Sequence, residues 1–137
     1  MKLVSACLAG IPCRFDGKAK KHQTIAQLIE EGKAIAVCPE ELGGLPTPRI
    51  PAEKQGEKII NKNGIDVTKA FEKGAQKALQ IALKNDCTEA ILKSNSPSCG
   101  CGKIYDGSFT GKLTNDDGIF CKVLKENKIK IYTENEI

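Results

Sequence analysis

Three short apolar runs, Leu3–Leu8, Ala34–Cys38 and Ala90–Leu92 within the Glu89–Lys93 strand, and a final strand candidate, Lys130–Thr133, are separated by stretches with helical periodicity. Runs this short and this continuous, without polar alternation, suit strands buried on both faces. Between them, Gln23–Glu31 places Ile25, Leu28 and Ile29 at i, i+3 and i+4, with Gly32 as a stop. Asp66 is an N-cap candidate for a longer helix over Val67–Lys84, with an inward stripe of Ala70, Phe71, Ala75, Ala78, Leu79, Ala82 and Leu83. Ile119–Glu126 reads as a short helix with Ile119, Phe120 and Val123 inward. Strands alternating with helices imply parallel βαβ units. The expected fold is α/β, a small three-layer, Rossmann-like fold with a mostly parallel sheet, built as a single domain over 1–137.

The remaining segments lack such periodicity. Glu41–Pro51 carries three prolines and a glycine pair and is expected to be irregular, within a long unpatterned stretch from Glu40 to Ile65. Lys58-Ile59-Ile60 followed by Asn63-Gly64 suggests a small hairpin. Ile104–Gly111 reads as turns.

Seven cysteines in 137 residues are many. The N-terminal run has no cleavage-site pattern, which points to a cytoplasmic protein with reduced thiols and not to a disulfide framework. No segment has the ~20 apolar residues of a membrane span. The net charge of +4 comes from scattered lysines without arginine clusters or interleaved aromatics, which gives no support to nucleic-acid binding. The sequence carries no signal for oligomeric state.

Cys87 and Cys121 lie in or beside helical patterns and read as small core residues. Cys7, Cys13, Cys38, Cys99 and Cys101 sit among Gly, Pro, Ser, Arg and Glu, where metal or redox chemistry is the better expectation. Ligands of open parallel sheets bind beyond the carboxyl ends of the strands. Cys7 and Cys38 close the first two strands and the Ser94–Gly102 stretch follows the third, so each strand delivers a thiol to one edge. Three such thiols suit zinc or an iron–sulfur cluster. The paired knuckles of structural zinc and the four-cysteine ferredoxin run are both absent. Three thiols around a cubane leave one iron without a protein ligand, an open position for substrate. Glu40 and Glu41, just past Cys38, offer a carboxylate as general acid or base. Ser96 and Ser98 are candidates to hydrogen-bond a ligand, or else form a turn. Arg14 with Asp16, and Arg49, read as structural ion pairs, with anion contacts as the alternative, and His22 as an exposed residue at the start of the first helix.

Several linked motifs then resemble one family. They are Ser5–Gly10 with Arg14–Gly17, Cys38–Arg49, Gly64–Thr68, and Ser96–Gly100 with Ile104–Gly107, in order along essentially the whole chain. This pattern is similar to the bacterial thiouracil desulfidases. The resemblance implies a [4Fe–4S] cluster held by Cys7, Cys38 and Cys99, with the fourth iron free for the sulfur of a thiolated pyrimidine. It implies a non-redox removal of sulfur that releases uracil and hydrosulfide, with Glu40 moving the proton and Ser96 or Ser98 orienting the ring. Cys13 and Cys101 depart from the family pattern, either as competing ligands or as thiols that oxidise with a neighbour. An iron–sulfur or zinc redox sensor or binding module, and a sulfur transferase acting on thiolated nucleotides, remain alternatives.

Overall fold

The computed structural model describes all residues, 1–137. Strands β1 (Lys2–Ser5), β2 (Ala34–Val37), β5 (Glu89–Leu92) and β8 (Lys130–Thr133) form one sheet in the order β2-β1-β5-β8. Every pairing in it is parallel. The two-residue period of a strand splits the core between the faces. Leu3, Ala90 and Leu92 point to one face, under α3 (Thr68–Lys84) and α4 (Ile119–Glu126). Val4 and Ile91 point to the other and pack on Ile25 of α1 (Gln23–Glu30). The mostly parallel, helix-flanked sheet is the one expected from the alternating pattern.

Two antiparallel hairpins lie outside this sheet. The first, β3 (Ala52–Gln55) with β4 (Lys58–Asn61), uses the Lys58-Ile59-Ile60 segment as expected. The second, β6 (Ile104–Tyr105) with β7 (Leu113–Thr114), falls where only turns were expected. No helix is long and apolar enough to cross a membrane.

Element boundaries depart from expectation for identifiable reasons. The first strand stops at Ser5, not Leu8, because Ser5 faces Val37, the last residue of β2 in register. Two residues further along β2 comes Pro39, which has no N–H to extend a ladder. The chain turns instead into a 3-10 helix, Ala6–Ala9. Pro39–Leu42 forms a short helix, α2, with Pro39 in its first turn and Glu40 and Glu41 beside its positive end. Helix α3 begins at Thr68 with Val67 at its N-cap; Asp66 instead accepts from the Thr68 N–H at 2.9 Å. Leu83 is exposed and Gly74 takes the inward place. In α4 the fully buried residues are Phe120, Cys121 and Leu124, while Ile119 and Val123 are half-buried.

Gly74 explains how α2 is held. A Cβ on Gly74 would overlap the Pro39 carbonyl, and one on Gly43 would overlap the Ala70 carbonyl. The two helices thus meet backbone to backbone, which only a glycine pair allows. Ala normally stabilises a helix interior by about 1 kcal/mol relative to Gly. Here the sign reverses: Gly74→Ala is expected to destabilise by about 1–3 kcal/mol, the cost of overpacking. Urea denaturation checks this, and an unchanged or higher midpoint would refute the close-packing account.

Candidate active site

The sheet order reverses between β1 and β5. The chain leaves β1 for β2 on one side and reaches β5 on the other, which is the switch point where open α/β sheets bind ligands. A cavity of about 430 Å³ opens there. Its lining includes Cys7, Cys13, Cys38, Cys99, Glu40 and Ser96, with Arg14, Arg49, Lys93, Phe15, Pro51 and Phe109 around them.

Each thiol is placed by backbone. Cys7 lies in the 3-10 helix, where its carbonyl accepts from Lys20 N at 2.9 Å and from Gly10 N at 3.3 Å. Cys38 is the N-cap of α2, so the glycine contact with α3 sets its position. Cys99 sits in the loop that caps α4. The carbonyls of Pro97, Ser98 and Gly100 accept from the N–H groups of Ile119, Phe120 and Gly118 at 3.0, 3.0 and 2.7 Å. That loop supplies the orphan donors of the helix N-terminus with acceptors. Ser5 Oγ accepts from Lys93 N at 2.9 Å and ties the ends of β1 and β5 together.

The two serines have different fates. Ser96 Oγ accepts from Ser98 N and Cys99 N, both at 3.0 Å. Both lone pairs are used, so its remaining capacity is one O–H donor, available to the cavity it lines. Ser98 is 2% exposed and absent from the cavity wall; its contribution is the carbonyl that caps α4. The expectation that Ser98 faces a ligand therefore does not match its position.

Glu40 forms an ion pair with Arg49, Oε1 to Nε at 3.0 Å. Burial pushes its carboxyl above the usual range, with the Arg49 guanidinium pulling the other way. Among the thiols, burial raises Cys7 to about 11 against the pull of Lys93, and burial likewise raises Cys99 strongly. Cys38 falls to about 7 because the Cys13 thiol donates to it, helped by the Glu41 N–H at the start of α2 and opposed by burial. Cys13 correspondingly keeps its proton. A bound metal would reverse the burial penalty by supplying the positive charge these thiolates lack. The donor set, the buried sulfurs of Cys7 and Cys99 and the half-buried one of Cys38, brought from three strand ends, fits a soft metal centre.

Cys101 stands elsewhere. It is joined in a disulfide to Cys121, with the Cα atoms 5.7 Å apart, a departure from the general expectation of reduced thiols but one of the two outcomes expected for Cys101. It does not line the cavity. Asp117 lies beside the pair, its carboxylate engaged by Gly102 N at 2.7 Å and Lys125 Nζ at 3.0 Å. Cys87 is a core residue, as expected. His22 is half-buried, not exposed, at the N-cap of α1.

Three supporting residues escaped sequence reasoning. Glu53 accepts from Gly107 N and Phe109 N at 3.0 and 3.1 Å and holds the Phe109 loop over the cavity. Lys93 and Glu134 pair at 3.1 Å. Glu134 also accepts from Ser94 N at 2.8 Å and from Ser94 Oγ at 3.1 Å, pinning the start of the cysteine loop. Their partners lie 40 to 56 residues away, and no local pattern reveals them.

The profile of the 2-thiouracil desulfurase family matches residues 3–136. The chain belongs to that family. It is 42% identical to the uncharacterized protein YbbK of Bacillus subtilis (strain 168), over 147 aligned positions spanning 100% of this chain and 97% of the relative. A solved structure, the [4Fe–4S]-dependent thiouracil desulfidase TudS, matches with a TM-score of 0.94 at 44% identity. That match covers 98% of this chain and 91% of the other.

Burial raises the Glu134 carboxyl, but the Ser94 N–H and the Lys93 ammonium overcome it and hold the net value below the usual glutamate range. A folded value below the unfolded ~4.3 means the carboxylate stabilises the fold fully above that pH and ceases to as pH falls through the folded value. Glu134→Gln is expected to cost about 2 kcal/mol at neutral pH. Its gap to wild type should close in acid when unfolding is measured across pH; a gap that stays constant below pH ~4 would refute the assignment.

Proposed function

We propose that this protein is a thiouracil desulfidase that uses a [4Fe–4S] cluster held by Cys7, Cys38 and Cys99. The observation that supports it is the meeting of these three thiols with Glu40 and Ser96 in one cavity. Cys7, Cys38 and Cys99 would hold the cluster, and its remaining iron would supply Lewis acidity toward a soft sulfur donor. The overall change adds water across the carbon–sulfur bond and gives uracil and hydrosulfide, with no net electron transfer.

The chain's own residues do the rest. Phe15, Pro51 and Phe109 give the cavity apolar walls suited to a flat pyrimidine. Ser96, with only its proton to offer, donates to a ring carbonyl or nitrogen acceptor. Glu40, whose carboxyl burial raises above the usual glutamate range against the pull of Arg49, takes a proton from the attacking water and returns one to the ring nitrogen. Arg49 holds the Glu40 carboxylate in place through its Nε while its other nitrogens bond Pro46 O, Thr47 Oγ1 and Cys13 O. The sensor and sulfur-transferase alternatives draw no specific support from this geometry.

Anaerobic purification with iron and sulfide analysis tests the cluster, and the fall of thiouracil absorbance with release of sulfide tests the reaction. Glu40→Gln is expected to lower turnover by a factor of about 10²–10⁴ while leaving iron content unchanged. Full turnover in that variant would remove Glu40 from the mechanism.

A further inference from the structure

A second carboxylate lines the cavity, and half of it has no task. Glu53, in β3, is 9% exposed. Its Oε1 is committed to the Phe109 loop, accepting from Gly107 N at 3.0 Å and Phe109 N at 3.1 Å. That grip is demanding. Gly107 leaves no room for a Cβ beside the Lys54 carbonyl, and Phe109 is held at φ 58°, a left-handed backbone that a bulky side chain rarely adopts. Oε2, in contrast, has no hydrogen-bond partner in the protein. The neighbouring Lys54 pairs with Asp116 at 3.1 Å and not with Glu53. The one buried polar side-chain atom sealed away without a partner is His22 Nδ1, so Glu53 Oε2 retains access to open space, and the space Glu53 lines is the cavity. Holding the loop does not require a charge. A glutamine carbonyl would accept the same two N–H bonds without the cost of burying an ionised group. What the carboxylate adds is the second oxygen.

We infer that Glu53 selects uracil-type rings, its Oε2 accepting a hydrogen bond from the imide N–H that lies between the two carbonyl-type ring carbons. The inference deepens the pyrimidine reading above and rests on it. A uracil-type ring alternates acceptors with N–H donors along its edge, so its pocket must offer both kinds of partner. Ser96 has only a proton to give, and Arg14 and Lys93 are donors alone. Glu40 is tied to Arg49. Glu53 Oε2 is the acceptor left for the ring N–H. A cytosine-type ring carries a bare nitrogen at the same place, and its lone pair would oppose the carboxylate oxygen. Discrimination of this kind is steep, because a mismatched buried polar group is left without a partner. The pairing does not involve sulfur, so uracil itself is recognised by the same contact.

Equilibrium dialysis of uracil, cytosine and 3-methyluracil against anaerobically purified protein reads the contact without turnover. Wild type is expected to bind uracil about tenfold or more tightly than the other two. Glu53→Gln keeps its carbonyl on the Gly107 and Phe109 N–H groups, because its NH2 would oppose two donors there, and so turns a donor toward the ring. The variant is expected to lose uracil affinity by about 10–100-fold and to gain cytosine affinity. A residue that only holds the loop would produce no such inversion. A wild type that binds 3-methyluracil as tightly as uracil overturns the inference, whether or not the variant folds. So does a Glu53→Gln protein with the wild-type ratio of uracil to cytosine affinity. Cluster-loaded wild type that leaves thiouracil untouched instead overturns the proposed function itself.

Discussion

A parallel sheet ends all its strands at one edge, and everything at this site depends on how the chain leaves that edge. The ladder stops at Ser5, Val37 and Leu92, and each departure is forced by a different local cause. After Ser5 a 3-10 turn is held by bonds from Lys20 and His22 to the carbonyls of Cys7 and Leu8. After Val37, Pro39 ends the pairing and opens a helix pinned by Gly43 and Gly74. After Leu92, a serine- and proline-rich loop lends its carbonyls to the amide end of α4. Backbone contacts, and not contacts among the sulfurs, bring the thiols together. A site built this way is preorganised before any ligand arrives.

That preorganisation has an electrostatic cost that also hints at its purpose. Buried thiols resist ionisation, as the raised values of Cys7 and Cys99 show. Arg14, Arg49 and Lys93 line the same cavity and favour negative charge there. An arrangement that buries sulfur, surrounds it with cations and leaves apolar walls for a flat ring suits a metal–thiolate centre beside a substrate pocket. It suits a solvent-exposed redox pair poorly. Ser96 adds directionality, because its lone pairs are already taken and it can act on a ligand only as a donor.

Much of this was legible in the sequence. The apolar runs and the final strand candidate marked the four sheet strands, and the ends of the runs gave Cys7, Cys38 and Cys99, because strand direction is a topological consequence of alternation. The short helix after Cys38 was missed, although Pro39 followed by two glutamates is a first-turn signature. The β6–β7 pair was missed because two-residue strands carry no period. Ser98 was misplaced because sequence cannot tell a side chain that faces a cavity from a carbonyl that caps a helix. Cys101 and Cys13, read alike from the sequence, part company in the fold: Cys101 pairs with Cys121 away from the cavity, and Cys13 lines it. Glu53 and Glu134 act through partners far along the chain, which only the fold brings near.

The central claim is that Cys7, Cys38 and Cys99 hold an iron–sulfur cluster at the switch point of the sheet. Anomalous diffraction at the iron edge, on crystals of anaerobically prepared protein, tests it most directly. Iron peaks are expected within bonding distance of those three sulfurs. Iron found instead beside Cys101, Asp117 and Cys121, or a cavity without iron in protein that still desulfurises thiouracil, would contradict it.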